Sequence, residues 1–118
     1  MDMNRMTVKL QEALQSASAL AMRRGHQGID VEHLLLALME QEGGIAGSLF
    51  EQAGVSPAAV RQAAEQALTK VAQVHGPGAA PGQIHLTPRL SSLLTKAEDR
   101  MKELRDEFVS VEHIILAM

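Results

Sequence analysis

The feature that most constrains this chain is a stretch that occurs twice. Ile29-Asp-Val-Glu-His-Leu-Leu-Leu-Ala-Leu38 returns as Val109-Ser-Val-Glu-His-Ile-Ile-Leu-Ala-Met118, 80 residues later and without a gap. Laying residues 6–38 on 86–118 at that offset gives nine identities in 33 pairs: Thr7/Thr87, Leu10/Leu90, Leu14/Leu94, Ala17/Ala97, Val31/Val111, Glu32/Glu112, His33/His113, Leu36/Leu116 and Ala37/Ala117. Chance in so Ala- and Leu-rich a chain supplies roughly two or three, and self-similarity at a fixed period governs every later assignment. Conservative pairs (Lys9/Arg89, Ile29/Val109, Leu34/Ile114, Leu35/Ile115) strengthen the match. The chain is a tandem duplication.

A chain of 118 residues makes one compact domain, or two small pseudo-symmetric lobes sharing a core. With two Phe and neither Tyr nor Trp, that core must be aliphatic. Few β-branched or aromatic runs leave little strand signal, whereas Ala, Leu, Gln, Glu and Arg favour helix, so an all-α fold is expected. A net charge of −3 with interspersed signs gives no basic stripe for nucleic acid, and the scarcity of aromatics gives no stacking platform for single strands. The absence of cysteine fits a reducing compartment. Met1-Asp-Met-Asn-Arg5 lacks a signal pattern and no apolar run approaches about 18 residues, so no membrane partner and a cytoplasmic location are expected.

Periodicity and capping signals predict six helices. Leu10, Leu14, Ala17 and Ala21, widened by Ala13 and Leu20, mark a first helix from Thr7 to about Arg24, stopped at Gly25. Asp30 caps a second running to about Gln41, apolar nearly all round and therefore central. A short third helix, Ile45 to Gln52, is expected to bury Ile45, Leu49 and Phe50. Ser56-Pro57 starts a fourth, with Val60, Ala64, Ala67 and Val71 as its buried stripe. Thr87-Pro88 starts a fifth, to about Arg105, with Leu90, Leu93, Leu94, Ala97, Met101 and Leu104 facing inward. Ser110 caps a sixth that is still running at Met118. The Gly- and Pro-rich segment 75–85 is the linker, so the organisation expected is 1–74 as first repeat and 86–118 as second.

By the 80-residue offset, Met118 corresponds to Leu38, so the second repeat lacks counterparts of helices three and four. The expectation is a longer parent protein and exposed apolar surface on the sixth helix, which would invite association.

A Glu-His-Leu-Leu-Leu-Ala-Leu helix, preceded by Gly25-His26-Gln27 and followed by Glu42-Gly43-Gly44, resembles the N-terminal domain of Clp ATPases. Met6-Thr-Val-Lys-Leu-Gln-Glu-Ala-Leu14 and Asp106-Glu-Phe-Val-Ser-Val-Glu-His113 are most similar to the ClpB branch of AAA+ disaggregases. The ClpC branch more typically reads Gly-Thr-Glu-His where this chain has Asp30-Val-Glu-His33 and Ser110-Val-Glu-His113. The resemblance covers essentially the whole chain. It implies duplicated Clp N-domain-like helical repeats (two of four helices, the second truncated here), tethered before an ATPase ring. It further implies weak recruitment of unfolded or aggregated polypeptide to a hexamer. The alternative is a ClpC-like domain that docks adaptor proteins or phosphoarginine-marked proteins for degradation.

No Gly-x-x-x-x-Gly-Lys-Ser/Thr is present, so the chain is not expected to be an enzyme; ATP and Mg would belong to other domains of the parent. Glu32 and Glu112 sit in first helical turns, where a carboxylate either simply meets the positive end of the dipole or serves as an acidic contact for peptide. Thr7 reads as an N-cap and Asp106 as a turn residue. The resemblance links the positions of Thr7, Asp106 and Glu112 to substrate engagement and places Leu93 or Leu94 at the edge of a groove between the repeats. His33 and His113 follow glutamates, but His26 and His33 lie seven apart across a turn, and no His-x-x-x-His or cysteine accompanies them. A hydrogen-bonded packing histidine is expected, with no metal and no cofactor in this chain.

Overall fold

The computed structural model describes residues 3–41, 44–70 and 85–118, with no side-chain description for residue 3. Among the described residues a 3-10 turn at Met3–Arg5 leads into six α-helices: α1 (Val8–Arg23), α2 (Val31–Glu40), α3 (Ala46–Gln52), α4 (Pro57–Thr69), α5 (Pro88–Glu103) and α6 (Val111–Ala117). The expected linker lies largely outside the described residues, as does Val71.

Helices α1, α2, α4 and α5 begin where a capping side chain says they should. Thr7 Oγ1 accepts the Leu10 amide at 3.3 Å, and Thr87 Oγ1 accepts the Leu90 amide at 3.2 Å. Ser56 Oγ accepts from Ala59, with Pro57 in the first turn. Such caps satisfy amides that have no partner within the helix and contribute about 1 kcal/mol each. α1 and α5 also end alike. His26 N–H donates to Ala21 O at 2.9 Å and Asp106 N–H to Met101 O at 3.0 Å, each beside a shorter-range bond from the preceding residue. The turn requires a left-handed residue. Gly25 supplies it at φ 71°, and in the second copy Arg105 is held there at φ 58°.

Two parallel pairings join the copies. β1 (Gly28–Ile29) pairs with β2 (His85–Leu86), and Met6 bridges to Val109. The 80-residue offset turns one pairing into the other: Ile29 becomes Val109 and Leu86 becomes Met6. Thr87 N–H donates to Ile29 O at 3.0 Å, as Thr7 N–H donates to Val109 O at 2.9 Å. Each copy therefore lends the residues before its first helix to the residues before the other's second helix. These pieces of two residues are too short to show alternation in sequence, and the expectation of an all-helical chain missed them; the fold remains all-α around them.

Beneath this exchange lies one aliphatic core drawn from both copies, including Leu10, Leu14, Ala17, Leu34 and Leu38 with Leu90, Leu94, Ala97, Met101 and Ile114. α4 docks on α2 through a satellite cluster of Leu36, Ala64 and Leu68, flanked by Leu20 and Leu35. An Arg24–Glu65 pair at 2.7 Å joins the end of α1 to α4. The burial expected of six residues is corrected. Ile45 and Leu104 are exposed, because α3 turns Ala46 inward and the last turn of α5 turns Met101 inward instead. Leu49 and Phe50 are only half-buried, and Leu68, not Val60 or Ala67, is the buried large residue of α4. The exposure expected on the sixth helix is present: Leu36 is 1% exposed beneath α4, whereas its counterpart Leu116 is 54% exposed.

Candidate functional site

The exchange brings the N-terminus of α5 against that of α2, and the N-terminus of α1 against that of α6. Two grooves result, related by the same offset. The larger, about 550 Å³, is lined by Val31, Pro88, Arg89, Ser92, Leu93, Lys96, Ala117 and Met118. The smaller, about 230 Å³, is lined by Thr7, Lys9, Gln41, Gly44, Ile45, Ser110 and Val111. Val31 and Arg89 in the first correspond to Val111 and Lys9 in the second. In the second groove the segment after α2 forms part of the wall, and Gln41 Nε2 donates to Lys9 O at 2.8 Å.

At the larger groove, Asp30 ties the seam together. Its carboxylate accepts the Val31 amide at 2.7 Å and the Thr87 hydroxyl at 3.0 Å, with Arg89 at 3.4 Å. The same Arg89 guanidinium donates to both Glu32 oxygens, at 3.0 and 3.4 Å, and those bonds raise its pKa. With Arg89 mostly exposed, the pairing orients the groove more than it stabilises the fold.

The residues singled out in sequence are thus divided between the grooves. Leu93 lines the larger one, at whose edge Glu32 grips Arg89. Thr7 lines the smaller, and exposed Glu112 follows its Val111. Leu94 is buried in the common core and lines neither. Asp106 lines neither; its carboxylate accepts from His113 Nε2 at 2.8 Å while remaining about half exposed. Arg89 and Val31, which the sequence did not single out, carried a signal in the Lys9/Arg89 and Val31/Val111 pairs of the repeat alignment.

His33 and His113 are buried and hydrogen-bonded. Each accepts on Nδ1 the amide hydrogen of its helix cap, Asp30 or Ser110, at 2.9 Å, taking the role a glutamate usually plays three residues into a helix. Among the described residues no group of three His, Cys, Asp or Glu side chains could hold a metal ion. No helix there is long and apolar enough to cross a membrane.

The sequence pattern of the Clp repeat (R) N-terminal domain matches residues 5–118. The chain belongs to the Clp N-terminal domain family. It is 47% identical over its whole length to the chaperone protein ClpB of Nitratidesulfovibrio vulgaris, and 43% identical over 117 residues to ClpB of Bacillus cereus, spanning 14% of each relative. Among solved structures, the N-domain of ClpV from Vibrio cholerae matches with a TM-score of 0.80 at 23% identity, over 97% of this chain and 66% of that one. A complex of the ClpV N-domain with a VipB peptide gives 0.78 at 23% identity, covering 97% and 67%. The Hsp104 N-terminal domain of Candida albicans gives 0.79 at 20% identity, covering 95% and 71%. These likenesses establish a Clp-type chaperone N-terminal domain with the Clp N-domain fold. The Clp N-terminal domain is not itself an ATPase domain.

Proposed function

We propose that this domain recruits unfolded or aggregated polypeptide for a ClpB-like, ATP-dependent disaggregase that works as a cytoplasmic hexamer. The observation that carries this reading is the groove of about 550 Å³ across the seam, where Val31, Leu93, Ala117 and Met118 offer apolar surface beside Arg89 and Lys96. A groove of mixed apolar and charged lining suits sequence-tolerant capture of an extended or helical segment. The ClpV N-domain solved with a VipB peptide supports the use of such a domain for peptide. Thr7 and Glu112 extend the surface at the second groove, Glu112 favouring basic flanks. Glu32 and Asp106 are already engaged by Arg89 and His113, so a peptide would reach them only by exchanging those partners. A ClpC-like phosphoarginine site at Glu32 would likewise have to displace the chain's own guanidinium. The domain needs no cofactor for this task, and weak binding suits release to the ring.

The test is fluorescence anisotropy of a labelled, permanently unfolded polypeptide. Ser92→Trp fills the larger groove from an exposed position and should weaken binding about tenfold, equivalent to about 1.4 kcal/mol. Gln66→Trp on the outside of α4 should leave binding unchanged. Equal loss in both variants, or no binding by the parent sequence, would refute the proposal. Competition by free phosphoarginine, lost in Glu32→Ala, would favour the ClpC-like alternative.

A further inference from the structure

In the turn before the second helix of each copy, a buried contact differs between the copies. At the first junction His26 Nδ1 lies 2.8 Å from His33 Nε2, the rings edge to face with centroids 5.0 Å apart. At the second, the position of His26 is taken by Asp106, whose carboxylate lies 2.8 Å from His113 Nε2. The hydrogen-bond pattern fixes every proton at the first junction. His33 Nδ1 accepts the Asp30 amide, so its ring proton is on Nε2 and points at His26 Nδ1. His26 must then carry its own proton on Nε2, which is buried with no protein partner. Adding a proton to His33 sets N–H against the Asp30 amide; adding one to His26 sets N–H against N–H. Either way a bond at the junction is lost.

We propose that the His26–His33 pair is a proton-sensitive latch: when it charges, the Asp30 junction between the repeats opens, while the junction at Asp106–His113 stays closed. The consequence passes through Asp30, whose amide is held by His33 and whose carboxylate holds Thr87 and Arg89 across the seam. The charges around the pair do not relieve it. Arg24, at the end of α1, repels a cation on either ring, and its partner on α4, Glu65, is occupied by it. Asp30 and Glu32 on α2 favour a charged His33, but Arg89 from α5 draws on both. Burial first, then Arg24, lowers the pKa of His26; burial first, then His26, lowers that of His33. Both groups start from an ordinary value of 6.5 once the junction is open or the chain unfolded. The closed state therefore binds fewer protons than the open one, and its stability falls as pH drops below that value. At the second junction the Ser110 amide likewise points at His113 Nδ1, but Ser110 Oγ lies 3.0 Å from the same nitrogen and the ring is held through Nε2 by the Asp106 carboxylate, where the first junction offers a second imidazole.

Amide hydrogen exchange, corrected for its intrinsic pH dependence, tests this on the whole chain and does not depend on what the grooves bind. Between about pH 7.5 and about pH 5.5, spanning the ordinary histidine range, protection at the seam amide of Thr87 should fall while protection at its counterpart Thr7 holds. His26→Asp, which copies the second junction into the first, should remove the difference. Parallel loss at both junctions, or an unaltered pH response in His26→Asp, would overturn the proposal. Should that variant not fold, imidazole nitrogen spectra of the parent sequence decide. His33 should remain neutral with its proton on Nε2 as pH passes below the ordinary value, and a His33 that charges there with the Asp30 amide still protected would overturn the latch.

Discussion

Leu36 and Leu116 occupy equivalent places in the duplicated sequence and opposite environments in the fold, so truncating each to alanine separates packing from propensity. Leu36 is 1% exposed and touches the cluster through which α4 docks on α2. Removing three of its heavy atoms leaves a cavity against Ala64 and Leu68, in a cluster that Leu20 and Leu35 only partly cover and that the partly exposed Arg24–Glu65 pair flanks. Large-to-small changes at such sites cost about 3 kcal/mol, in a range of roughly 2–5. At about 4 °C per kcal/mol for a domain near this size, Leu36→Ala should lower Tm by roughly 12 °C. Leu116 is 54% exposed, and its truncation should change stability by no more than about 0.5 kcal/mol, or roughly 2 °C. Thermal melts followed by far-UV circular dichroism suit a chain without Tyr or Trp. Equal destabilisation by the two substitutions would refute the account of α4 as the cover that one copy has and the other lacks here.

Gly28→Ala should cost about 1–3 kcal/mol, measured by urea denaturation, because its Cβ would stand 2.9 Å from Thr87 Cγ2. Thr87 cannot turn aside without losing its bonds to Asp30 and Leu90. Thr87→Ala should accordingly cost more than the roughly 1 kcal/mol expected of Thr7→Ala in the same assay, since only Thr87 joins its cap bond to a side-chain bond across the seam. Arg105→Gly should raise stability by up to about 1 kcal/mol in thermal melts, because it relieves a left-handed arginine, partly offset by the greater freedom of glycine in the unfolded chain.

Most of the helical skeleton was legible because it is written in local chemistry. Thr7, Asp30, Ser56-Pro57 and Thr87-Pro88 announce helix starts through bonds made within three residues, and the 80-residue offset supplied the duplication. What escaped depends on contacts between distant segments. No periodicity can reveal that Gly28–Ile29 pairs with His85–Leu86, nor that Ala46 rather than Ile45 turns inward. Leu104 carried the same apolar signal as Leu90 but lies about half exposed at the helix end, where Met101 takes the inward position. Likewise Asp106 read as a turn residue and Glu32 as a first-turn carboxylate, and neither reading could name its partner: His113, seven residues away, and Arg89, from the other repeat. The seven-residue spacing of His26 and His33 argued against a metal site and is the spacing that links their rings across the turn.

The central claim, that the seam between the exchanged repeats is where polypeptide is held, is tested most directly by amide and methyl chemical-shift mapping with an unlabelled unfolded polypeptide. The account predicts perturbations centred on Val31, Arg89 and Leu93, reaching Thr7 and Val111, with α4 unaffected. Shifts confined to α4, or none at concentrations where anisotropy reports binding, would contradict it.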